Sequence, residues 1–86
     1  MAGPVKLTSE LIRAARALLR WEQKHLADVS RVSLPTVKRL EAKPGALGAH
    51  APTADALQRA FETAGVEFIP ENGGGAGVRM KERRAS

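Results

Sequence analysis

Apolar positions recur every three or four residues through most of the chain and alternate near its end. After Thr8, a polar residue suited to capping a helix start, Ile12, Ala15 and Leu19 fall on one face at helical spacing. Leu7, Leu11, Ala14 and Leu18 form a second apolar row beside them. The run is rich in Ala, Leu and Arg, strong helix formers, with Glu10 in the first turn. A helix over 11–20 follows, ending at Trp21. A surface helix needs one apolar stripe, so the second row predicts cover on two sides. Leu26 and Ala27, with Val29 or Ser30, mark the inner face of a short helix over 23–30. Arg31-Val32 is a turn. Ser33 signals a cap, Pro35 tolerates the first helical turn, and Val37 and Leu40 are the inward pair of a helix over 34–42, stopped by Lys43-Pro44-Gly45.

The stretch 43–52 reads as a loop of Gly, Pro and Ala. Thr53 is the expected cap of a fourth helix over 54–64, with Leu57, Ala60, Phe61 and Ala64 inward and Gly65 as its stop. The period then changes. Val66-Glu67-Phe68-Ile69 is β-branched and aromatic, 70–77 is a glycine-rich turn, and Val78-Arg79-Met80-Lys81 alternates apolar and basic. Gly3 and Pro4 oppose helix in a short lead-in, and 82–86 is a polar tail. A lone hairpin is marginal in water, so this one must lie on the helices, pair with a second copy, or both. The expected organisation is a helical domain over 1–65 and a hairpin with tail over 66–86 serving dimerisation.

Composition narrows the function. Fourteen Lys and Arg against nine Asp and Glu give a formal charge of +5, which puts nucleic acid first among partner classes for so small a chain. The absence of cysteine removes disulfides, thiol catalysis and thiolate metal sites. No apolar run approaches the ~18 residues of a membrane span. The start of the chain lacks the apolar core of a signal peptide, so a soluble cytoplasmic protein is expected.

Chemistry-bearing patterns are few. His25 and His50 have no third ligand at metal spacing, so no metal or other cofactor is expected. Gly73, Gly74, Gly75 and Gly77 lie between two strands with no helix after them, and fit a hairpin turn better than a phosphate loop. No nucleophile–base pair or carboxylate pair stands out, so an enzyme is not expected. Trp21 at a helix end reads as a lid on the core rather than a base-stacking platform.

The stretch 23–41, QKHLADVSRVSLPTVKRLE, carries the functional signal. Ala27 permits close helix crossing, and Leu26, Val37 and Leu40 fix the angle of two short helices. The second helix then presents Leu34, Pro35, Thr36, Lys38 and Arg39 from its N-terminal half. An α-helix fits the major groove of B-DNA and meets base edges with that end. Arg39 suits a bidentate contact to guanine, Leu34 and Pro35 suit thymine methyls, and Ser33 and Gln23 at helix starts suit phosphates. Lys24 and Lys43 extend the basic face.

Over roughly residues 8–64 the chain resembles the Xre-type (Cro and phage-repressor-like) helix-turn-helix family. The residues that carry the resemblance are Arg16, Trp21, Gln23, Leu26-Ala27, Val32-Ser33, Pro35-Thr36-Val37, Arg39-Leu40-Glu41 and Leu57. The resemblance implies a mainly α fold, a four-helix lambda-repressor-like domain with the hairpin appended. It implies that Gln23 clamps a phosphate, that Ser33, Leu34, Pro35 and Arg39 face bases or the adjacent backbone, and that Arg16 and Glu41 form a buried ion pair. Two positions depart from the family pattern. Arg31 stands where glycine is common and φ is positive, at a strain of about 1 kcal/mol or more. Leu34 replaces a polar base reader, which shifts the reading to Arg39 and Lys38.

The expected function is a transcriptional regulator, a bacterial or mobile-element repressor or activator, binding a palindromic double-stranded DNA operator as a homodimer. Leu7, Leu11, Leu18, Val66, Phe68, Ile69, Val78 and Met80 are the expected dimer residues. The alternatives are an antitoxin-type regulator that also covers a toxin, or another small-protein partner such as an antiactivator, and an interaction adaptor that binds no DNA.

Overall fold

In the computed structural model, which describes residues 6–81, the chain forms four helices followed by one antiparallel hairpin. The expected lead-in over 1–5 and tail over 82–86 lie outside the described residues. The first helix, α1, spans Ser9–Leu19 and begins as its cap residue dictates: the Thr8 hydroxyl accepts from the Leu11 N–H at 3.1 Å. It ends one residue earlier than expected. Arg20 turns into the left-handed region at φ 57°, and its N–H and that of Trp21 donate to the carbonyls of Ala17 and Arg16.

Helix α2 spans Gln23–Ser30 and α3 spans Leu34–Ala42, both with the expected bounds. Between them Arg31 adopts φ 63°, the left-handed conformation that the turn requires. The Ser33 hydroxyl accepts from the Thr36 N–H at 3.3 Å, and Pro35 sits in the first turn of α3, where no N–H is needed.

Helix α4 spans Ala51–Thr63, three residues longer at its start than expected. Its cap position is His50 rather than Thr53, and Pro52 lies inside its first turn, so this proline opens the helix instead of closing the loop. The loop before it is stitched to α1. The Ser9 N–H donates to the Gly45 carbonyl, the Gly45 N–H donates to the Glu10 carboxylate, and the Leu47 N–H donates to the Leu7 carbonyl. Leu47 is thereby drawn into the core, an inward residue that the loop composition concealed.

Gly65, at φ 100°, turns the chain out of α4 into β1 (Val66–Ile69), which pairs with β2 (Gly77–Met80). The second strand lies one residue earlier than its alternation suggested. In the register, Val66 faces Met80 and Phe68 faces Val78, so these four share one side of the hairpin, and Glu67 opposite Arg79 lies on the other.

One hydrophobic core joins all these elements. Ile12, Ala15, Leu26, Val37, Leu57, Phe61 and Val66 are almost fully enclosed. Trp21 stacks on Phe61 with ring centroids 5.7 Å apart, and Phe61 meets Phe68 edge to face at 6.0 Å. Trp21 is thus a half-buried lid. The hairpin packs against α1 and α4 and is part of this core, not a unit appended to a separate helical domain. This corrects the expected dimer face. Leu7, Leu11, Val66 and Phe68 are buried within the chain's own core and offer little surface to a partner. Of the expected residues, Leu18 and Met80 are exposed, at 44% and 40%, and Ile69 and Val78 are half-buried.

Candidate nucleic-acid interface

The candidate interface is built on one polar network that ties α1, α2 and α3 together. Glu41, on the inner side of α3, is buried. Arg16 reaches it from α1 with two parallel hydrogen bonds, Nε to Oε2 at 2.7 Å and Nη2 to Oε1 at 2.6 Å. The remaining Nη1 donates to the Trp21 carbonyl at 2.9 Å, where the chain passes from α1 to α2. The hydrogen bonds to Glu41 hold the Arg16 guanidinium charged, raising its pKa above the ordinary arginine value. A fork-shaped cation matched to a carboxylate fixes orientation as well as distance. Here it fixes the placement of α3 relative to α1.

The fourth donor comes from α2. The Gln23 side-chain amide donates to Glu41 Oε1 at 3.1 Å. The group that the sequence pattern assigned to a phosphate is therefore engaged with the inner carboxylate in this structure. It serves the angle between α2 and α3 directly.

With Val37, Leu40 and Glu41 facing inward, α3 turns its opposite side to solvent. Pro35, Lys38 and Arg39 are exposed on it, and Lys43 is exposed at its C-terminal cap. Pro35 and Arg39 are four residues apart and share one row; Leu34 and Lys38 share the next. Lys38 and Arg39 make no ion pair among the described residues. Thr36 is half-buried, and its hydroxyl oxygen accepts from Ser33 Oγ at 2.9 Å, so both side chains act locally at the start of α3. Leu34 is half-buried and packs against the core, which leaves part of its surface exposed beside Lys38.

A cleft of about 430 Å³ opens beside the start of α3, lined by Lys24, Ala27, Asp28, Arg31, Val32, Ser33 and Leu34. It brings three of the expected site residues together with Arg31 and Asp28, which the sequence reading did not place at the site. From the sequence, Arg31 stands out only for its backbone conformation. The signal that would have found it is its position immediately between the two helices.

Among the described residues no three His, Asp or Glu side chains come together to hold a metal, and no helix is long and apolar enough to cross a membrane. The sequence matches no protein-family model and no curated protein.

Proposed function

We propose that the chain is a helix-turn-helix transcriptional regulator of the Xre type, with a lambda-repressor-like domain that binds a double-stranded DNA operator and places α3 in the major groove. One observation carries this reading. The Arg16–Glu41–Gln23 network locks α2 and α3 at a fixed angle while leaving Pro35, Lys38 and Arg39 free on the exposed face of α3. A helix held from behind with cations in front is suited to groove recognition. The formal charge of +5 supports the same partner. In this reading Arg39 contacts a guanine, Lys38 and Lys43 contact phosphates or base edges, and Pro35 with the exposed part of Leu34 packs on thymine methyls.

The regulator acts as a homodimer, because one short helix reads only a few base pairs and two-fold partners reading half-sites multiply the affinity. Leu18 and Met80 are the large apolar side chains exposed on α1 and β2 and form the centre of the proposed dimer face. Sedimentation of Leu18→Glu and Met80→Glu tests that face: both variants become monomeric, and a dimer that survives both substitutions places the interface elsewhere.

DNA reading is tested by gel shift on a duplex selected from a random pool. Arg39→Ala binds that site about 5- to 150-fold more weakly than wild type, the equivalent of ~1–3 kcal/mol for one bidentate base contact. Equal affinity at the same salt removes Arg39 from the reading face.

A further inference from the structure

Arg31 combines three properties. It is a non-glycine residue held in the left-handed region, at φ 63°. Its guanidinium is exposed and has no ion-pair partner among the described residues, although Asp28 lies three positions before it and lines the same cleft. It also stands in the turn between the two helices, sharing that cleft with Lys24, Ser33 and Leu34. Glycine would hold this turn without strain. Here an exposed side chain stands at a strained position and its charge pairs with nothing among the described residues. Strained positions that the surrounding structure holds in place cluster at binding sites.

We infer that Arg31 is a DNA-phosphate contact, which together with Lys24 grips the backbone strand running along the edge of the groove that α3 enters. This rests on the DNA-binding reading and adds to it a residue whose work is affinity rather than base choice. Lys24, exposed on α2 and lining the same cleft, supplies the second cation. Asp28 lies between them in sequence and keeps the local charge modest, so the grip depends on both cations. A phosphate contact is independent of sequence, and its test needs no operator.

The experiment measures fluorescence anisotropy with a mixed-sequence duplex of about 30 base pairs over a salt series, where each phosphate contact contributes about 0.9 to the slope of log K against log salt. Arg31→Asn keeps a residue tolerant of the left-handed region and removes the charge. Its slope becomes shallower by about 0.9, and Arg31→Lys retains the wild-type slope. Arg31→Gly loses the same increment while its melting temperature rises, because strain and contact are removed together. Arg79→Gln, on the hairpin, removes one charge far along the chain from the cleft and leaves the slope unchanged.

If wild type binds with a steep slope and Arg31→Asn matches it, the inference is overturned and the DNA reading stands. An Arg79→Gln slope lowered as much as that of Arg31→Asn also overturns it, since net charge alone then accounts for the change. If wild type itself shows no salt-dependent binding, the DNA reading and this inference fall together.

Discussion

Replacing Arg16 by Met removes one partner of the network and leaves the other buried. Glu41 is only 4% exposed at its side chain and would keep a single donor, the Gln23 amide. Breaking a buried pair from one side costs roughly 3–5 kcal/mol. The Arg16 side chain is 20% exposed, so water replaces part of what is lost and the lower end, about 3 kcal/mol, applies. That is a large fraction of the roughly 4–13 kcal/mol expected for a domain of this length. Glu41→Leu strands the less buried partner and costs less, on the order of 2 kcal/mol. The double variant Arg16→Met/Glu41→Leu removes both charges and lies within about 1 kcal/mol of wild type. Urea unfolding of all four proteins at constant m-value gives the cycle, with a coupling energy of roughly 4–5 kcal/mol, the single losses together less the small loss of the double variant. Additive losses would show that the two side chains do not act as a pair. The double variant also separates stability from placement: it folds, yet without the fork between α1 and α3 it binds DNA more weakly than wild type.

A chain ending at Gly65 loses the buried Val66 and Phe68 at about 1.5–3 kcal/mol each, and circular dichroism should find it largely unfolded at temperatures where the full chain is native; a cooperative melt near the wild-type temperature would contradict a shared core. Ser33→Ala removes the cap of α3 and lowers stability by about 1 kcal/mol in urea unfolding, with a change under a few tenths showing that the cap contributes nothing. Glu10 has its pKa lowered by hydrogen bonds from its own backbone N–H and from that of Gly45. A depressed folded value means that this contact stabilises the protein above the ordinary glutamate range and is lost as pH falls through the folded value. Glu10→Gln therefore flattens the acid limb of stability as pH falls through and below the ordinary glutamate range, and an unchanged limb would remove Glu10 from the pH response.

What could be read in the sequence divides along physical lines. The bounds of α2 and α3 were legible because their signals are local: Ser33 caps from three residues away, and Pro35 marks a first turn. The start of α4 was misread because Pro52 fits both the end of a loop and the first turn of a helix. The burial of Leu47 was hidden because its partner Leu7 lies far away in sequence. The strand over 66–69 was legible from its residue types. Whether Val66 and Phe68 served the chain's own core or a second copy depended on which elements meet, and the structure gives them to the core. The Gln23–Glu41 hydrogen bond depends on the angle between two helices, which spacing alone does not specify. Arg31 was misjudged in a different way: its conformation was anticipated, but its place on the surface was not.

Whether α3 reads DNA is decided by selecting duplexes from a random pool with the purified protein. A groove-reading α3 enriches an inverted repeat with half-site centres about 10 base pairs apart, a guanine within each half-site and thymines beside it. A pool that remains unenriched after selection, with no affinity that falls as salt rises, would contradict that reading.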